Sequence, residues 1–257
     1  MQTRHFLLVL IGGLALAASA WAADRADDVE AQKELAAQGY SWAQAALGLR
    51  YSQGHGVAQD YAEALKWYRR AAAKGYASAQ YNLGVQYFKG QGVAQDYAEA
   101  LKWYRLAAAQ GDMDAQFNLG VMYASGHGVA PDYAEAFKWY RRAAAQGDGA
   151  AQLNIGVMHF KGHGVPPDAA EARQWFELAA AHGLAEAQYN LGVLYLTGQG
   201  VARDEVQAYK WLDRAAATYP ANAEREAAVQ TRDSVAARMT PAQIAEAQKL
   251  AQEWKPQ

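Results

Sequence analysis

Aspartate and glutamate recur three residues apart in this chain: Asp60 and Glu63, Asp96 and Glu99, Asp132 and Glu135, Asp168 and Glu171. Asp204 is followed at the same spacing by Gln207. Two neighbouring carboxyl groups are the equipment of glycoside cleavage, one as general acid and one as its partner. The same spacing also starts a helix. The aspartate accepts from the N3 amide, and the N3 side chain reaches back to the cap N–H. That signature accounts for all five copies, so the acids are read as caps. His55, His127 and His163 share another repeated position, which Gln91 and Gln199 fill elsewhere. A metal row would need ligands about 2.0–2.1 Å from one zinc ion, whereas adjacent packed helices lie about 8–10 Å apart. These histidines are read as surface loop residues, and His159 and His182 as helix-surface or helix-end residues. G-x-S-x-G, H-E-x-x-H and a phosphate loop are absent. The many G-x-G steps lack the preceding strand that a dinucleotide site needs. No catalytic residue, cofactor or metal is expected, and the chain is not read as an enzyme.

All these residues belong to a unit repeated every 36 positions. Trp67, Trp103, Trp139, Trp175 and Trp211 keep that step, and so do Gly48, Gly84, Gly120, Gly156 and Gly192. A period of roughly 20–50 residues marks a solenoid whose units stack and share a core. Five full units are expected at 40–75, 76–111, 112–147, 148–183 and 184–219. In each, a first helix (A) carries residues such as Leu83, Gly84 and Tyr87 on one face. A loop follows, Gly90-Gln91-Gly92-Val93 in the second unit. Its first glycine suits the left-handed position past a helix end, and its second lets the chain turn back. Val57, Val93, Val129, Val165 and Val201 are expected to plug the loops into the core.

The second helix (B) starts at the aspartate and runs an apolar stripe such as Ala136, Trp139, Tyr140 and Ala143. Each tryptophan is expected to anchor the core, its burial contributing ~4–6 kcal/mol gross. Glycine inside helix A costs up to about 1 kcal/mol. The reason expected is close approach of two helix backbones with no side chain between them. Residues 23–39 read as an N-terminal capping half-repeat, with Ala31 at the tryptophan position. Residues 220–257 read as C-terminal capping helices, one over 222–238 and one opened by Thr240-Pro241-Ala242-Gln243. The second carries Ile244, Ala247, Ala251 and Trp254 on one side.

Composition narrows the partners. The chain is 52% apolar with many alanines, which suits thin, close-packed helices. A net charge of −2 argues against nucleic acid, which calls for a basic stripe. With no cysteine, disulfides and thiolate metal sites are excluded. Arg4 and His5, the apolar run from Phe6 to Ala18, and Ala20-Trp21-Ala22 match a secretory signal peptide over 1–22, cleaved after Ala22. The mature protein is therefore expected in the periplasm or secreted, without a membrane span.

The unit A-x-A-Q-[YF]-N-L-G-V-x-Y, with Gly90-Gln91-Gly92-Val93 and Lys102-Trp103-Tyr104 in its second copy, resembles the Sel1-like repeat. That family is related to the tetratricopeptide repeat. Ala45-Ala46 in the first unit and His159 in the fourth depart from the pattern. The resemblance implies an all-α, right-handed α-solenoid of antiparallel helix pairs that serves as an exported scaffold for protein–protein interaction. It also implies that helix A lines a concave groove. The groove positions carried over are Tyr81, Asn82, Val85, Phe88 and Lys89; Phe117, Asn118 and Val121; Leu153, Asn154, Val157, Phe160 and Lys161; and Tyr189, Asn190 and Val193. The four asparagines then form a ladder that can pair with a peptide backbone or with the neighbouring repeat, since an amide both donates and accepts. Two further readings stand beside the protein or peptide partner. One is a binder of peptidoglycan or envelope polysaccharide, and the other a β-lactam or cell-wall hydrolase.

Overall fold

The structure, a computed structural model, describes residues 29–256. The expected signal peptide and the first residues of the N-terminal cap lie outside the described residues. Regular structure within them is entirely helical. Helix α1 (Val29–Ala37) precedes five hairpins. These are α2 (Ser41–Gln53) with α3 (Tyr61–Ala73), α4 (Ala77–Lys89) with α5 (Tyr97–Ala109), α6 (Met113–Ser125) with α7 (Tyr133–Ala145), α8 (Gly149–Lys161) with α9 (Ala169–Ala181), and α10 (Ala185–Thr197) with α11 (Glu205–Thr218). Helices α12 (Ala223–Ala236) and α13 (Pro241–Glu253) follow. The helices divide into two compact units, the first ending at Asp112 and the second beginning at Met113.

Local chemistry sets the ends of each hairpin. Gly90, with φ +69°, ends α4, and its N–H returns to the Gln86 carbonyl. Asp96 opens α5 by accepting from the N–H groups of Ala98 and Glu99. The reciprocal half of the expected capping box is missing here. The Asp96 N–H donates instead to the Tyr87 carbonyl of the preceding helix, 3.0 Å away, and the other four aspartates do the same. The N3 acids therefore turn forward onto lysines, as Glu63 to Lys66, Glu99 to Lys102 and Glu135 to Lys138. The complete reciprocal box occurs at Thr240 and Gln243.

The buried aromatic is not the expected one. Tyr68, Tyr104, Tyr140 and Phe176 are nearly inaccessible, and Leu212 holds the equivalent place. Their neighbours Trp67, Trp103, Trp139 and Trp175 are half-buried; only Trp211 is buried, under Trp254. Helix period explains the shift. The stripe is two positions wide, and the tyrosine points between the helices of its own hairpin. The tryptophan packs sideways on the preceding hairpin, as Trp103 does on the cluster around Ala72 and Leu83. Arg70 and Arg142 cover the faces of Trp67 and Trp139 at 4.5 and 4.3 Å.

The helix-A glycines follow from the same geometry. A Cβ on Gly84 would lie 2.7 Å from the Tyr104 ring, and one on Gly120 would lie 2.5 Å from the Tyr140 ring. A side chain does stand between the two helices, contrary to expectation, and the glycine makes room for it. The second loop glycine has a further duty. A Cβ on Gly164 would lie 2.5 Å from the Tyr133 carbonyl carbon at the start of the previous helix B, and Gly92 meets Tyr61 in the same way. One hairpin thus rests on the next at a point where only a hydrogen fits.

Burial pushes the Tyr104 and Tyr140 hydroxyls well above the ordinary phenol range. Their contribution to stability is therefore complete below the unfolded pKa, about 10, and is lost as pH rises beyond it. The urea midpoint should stay level from pH 7 to 9 and fall by pH 11. Replacing both residues with phenylalanine should flatten that fall, and an unchanged slope would refute the assignment.

At the C-terminal end, α11 packs against both α12 and α13. Arg232 of α12 pairs with Asp213 of α11 at 2.9 Å. Ala247 and Ala251 are buried, and the Trp254 ring meets Trp211 edge-on at 5.5 Å.

Candidate functional site

The helix-A residues expected to meet a ligand do share a face, but they are not equally available. On α4, Tyr81, Asn82, Val85 and Phe88 are half-buried and Lys89 is exposed. On α6, Phe117, Asn118 and Val121 are half-buried. On α8, Asn154 and Val157 are half-buried, while Phe160 and Lys161 are exposed. On α10, Tyr189, Asn190 and Val193 are half-buried. Leu153 is the exception: at 9% exposure it belongs to the core around Phe176 and Leu191.

Several side chains on this face have intramolecular partners. The amide nitrogen of Asn82 donates to the Ser78 carbonyl at 2.8 Å, and that of Asn154 donates to the Ala150 carbonyl at 2.9 Å. These bonds run to the preceding turn of the same helix. Each amide keeps its oxygen and a second hydrogen for other use. The Tyr81 ring packs against Tyr104 at 5.9 Å, and Phe117 packs against Tyr140 at 5.7 Å. These rings are tilted onto aromatic neighbours of their own hairpins.

A recess on this face lies at the end of the second unit. Glu186, Tyr189 and Asn190 of α10 face Tyr219, Pro220, Asn222 and Glu224 across a cleft of about 630 Å³. The Tyr219 hydroxyl is pushed up to about 12, by burial first and then by Glu186 and Glu224. The cleft is thus aromatic on its walls and negative at its rim.

The loop histidines do not converge. His163 stacks on Tyr133 at 4.7 Å, and His127 bonds the Ser125 hydroxyl at 2.8 Å. Among the described residues no group of three His, Asp or Glu side chains could hold a metal ion. No helix among them is long and apolar enough to cross a membrane.

A row of buried glutamines was not assigned a role from sequence. Gln44, Gln80, Gln116, Gln152 and Gln188 are all buried. Gln80 donates to the Ala72 carbonyl at the end of the preceding helix B and accepts from Gln110 at 2.7 Å. Gln116 accepts from Gln146, and Gln188 from Thr218. Gln80 thus closes an exposed carbonyl end of α3, and Gln44 does the same for α1 by donating to the Ala36 carbonyl at 3.0 Å. The clue was present in the fourth letter of A-x-A-Q, which never varies among the five copies.

The Sel1 repeat profile matches five consecutive segments, 43–76, 77–112, 114–148, 149–184 and 185–217. The chain belongs to the Sel1 repeat family. A Sel1 repeat protein from Oxalobacter formigenes is 31% identical in sequence, and the match covers 92% of this chain and 98% of that one with a TM-score of 0.76. A Sel1 repeat protein from Klebsiella pneumoniae is 22% identical over 80% of this chain and 97% of that one, with a TM-score of 0.50. A protective antigen of uropathogenic Escherichia coli is 30% identical over 88% of this chain and 63% of that one, at 0.45. No curated protein matched the sequence. The fold is therefore that of a Sel1 α-solenoid, an architecture that in general serves as a protein-interaction scaffold.

Proposed function

We propose that this Sel1 repeat protein is an exported scaffold that holds a segment of a partner protein against the A faces of its hairpins. The observation that carries this reading is the cleft at Tyr189, Asn190 and Tyr219, rimmed by Glu186 and Glu224. Its chemistry suits an extended segment bearing a lysine or arginine. The amide of Asn190 can meet the segment's backbone, the carboxylates its charge, and the tyrosine walls its aliphatic stem. Asn82, Asn118 and Asn154 extend the same chemistry along the A helices of each unit. The basic start, apolar run and Ala20-Trp21-Ala22 support delivery to the periplasm or beyond.

A photo-crosslinker at Asn190 should capture one partner in cells, and purified 23–257 should bind that partner's basic segment. Tyr189→Ala and Asn190→Ala should each weaken binding about tenfold, the usual range for losing one well-made contact. Melting should be unchanged for Asn190→Ala and lowered for Tyr189→Ala, whose ring also packs on the clusters around Leu212 and Ala216. Retained affinity in both variants would remove the cleft from the interface. Partner capture from the opposite, helix-B side alone would overturn the reading.

A further inference from the structure

A second cleft, unlike the junction between the first two hairpins, lies where the third hairpin meets the fourth. It encloses about 480 Å³ and is lined by Phe137 and Arg141 of α7, His159 of α8, Val165 and Pro166 of the loop, and Glu171 and Trp175 of α9. His159 lies five residues beyond Asn154, about 140° around the helix, so this cleft is separate from the A face.

The junction between the first two hairpins shows what the same positions ordinarily do. There Arg69 donates to the Tyr87 hydroxyl at 2.8 Å. Glu99 accepts from Lys102 at 3.1 Å and from the Trp103 indole at 3.1 Å. Arg69, Tyr87, Glu99 and Trp103 are thus all partnered there. Two replacements undo this arrangement in the fourth repeat. His159 stands where Tyr51, Tyr87, Tyr123 and Tyr195 stand, and Gln174 stands where Lys66, Lys102, Lys138 and Lys210 stand.

The consequences meet in one cavity. The ring of His159 is edge-on to Phe137 at 5.5 Å, and its Nδ1 is buried without a hydrogen-bond partner. The Arg141 guanidinium lies over Phe137 at 6.0 Å, and it has no ion pair among the described residues. The Glu171 carboxylate has lost its lysine. Arg141 and Glu171, of opposite charge, form no pair with each other yet line the same space.

We propose that this cleft binds a small zwitterion with an apolar side chain, a free amino acid or short peptide. Arg141 takes the carboxylate, Glu171 the ammonium, and Phe137, Trp175 and the His159 ring the apolar part. Opposite charges held apart complement a molecule that carries both signs, whereas a neutral sugar would leave each of them unpaired. The volume lies within the range of small-molecule sites.

The test is calorimetric titration of the 23–257 chain with leucine, with the dipeptide Ala-Leu, and with N-acetyl-Ala-Leu-amide. Saturable binding is expected for leucine or Ala-Leu, and the two arms distinguish amino acid from peptide. The capped dipeptide should bind at least about tenfold more weakly. Arg141→Gln and Glu171→Gln should each weaken binding about tenfold. The double variant His159→Tyr, Gln174→Lys rebuilds the closed junction and should abolish binding while keeping or raising the melting temperature. Equal binding of the capped dipeptide, preference for N-acetylglucosamine, or no saturation by either free ligand would overturn the proposal. So would undiminished binding by a well-folded double variant.

Discussion

Tyr104→Ala should lower stability by about 3–5 kcal/mol, the range for truncating a buried aromatic. The ring is 2% exposed, lies against the bare backbone of Gly84 and supports Tyr81. Truncation opens a void that a glycine on the facing helix cannot fill. Trp103→Ala should cost less, although tryptophan is larger, because Trp103 is half-buried and one edge already reaches Glu99. Tyr104→Phe should be nearly neutral at pH 7, as Phe176 occupies the same place in the fourth hairpin. Urea denaturation of the three variants checks the ranking. A Trp103→Ala loss equal to or above that of Tyr104→Ala would put the anchor back on the tryptophan.

Gly164→Ala should cost about 2–5 kcal/mol. A left-handed backbone at φ +74° penalises any Cβ by about 1–2 kcal/mol. The clash with the Tyr133 backbone adds roughly 1–3 kcal/mol, the usual range for overpacking. Gly147→Ala separates the two contributions, since its φ is +93° but no atom lies within 4 Å of the added carbon. It should show the conformational penalty alone. If both variants lose the same stability, contact between successive hairpins at Gly164 contributes nothing.

The reach of the sequence can be traced residue by residue. The 36-residue step placed the hairpins because tryptophan, glycine and aspartate recur at fixed points. Helix starts were legible because an aspartate cap acts on amides two or three residues away. The identity of the core aromatic was not legible. Trp139 and Tyr140 are adjacent in one stripe, and periodicity cannot say which points inward within a hairpin and which toward its neighbour. The reciprocal caps failed for a related reason. The N–H of Asp96 found a carbonyl across the loop, at Tyr87, which no local pattern encodes. The A-face positions were legible as a face, but Leu153 entered the core because Phe176 and Leu191 close over it. The orphaned groups of Arg141, His159 and Glu171 come from three helices, so only the fold brings them together.

The glutamine at Gln80 links segments no more than one repeat apart, since its partner Gln110 is 30 residues away. Gly84 with Tyr104, and Gly92 with Tyr61, also close short loops. The entropy of joining such segments is set by the length of one repeat and not by the length of the chain. Folding can therefore begin at any hairpin and spread to its neighbours at a speed that added repeats would scarcely change.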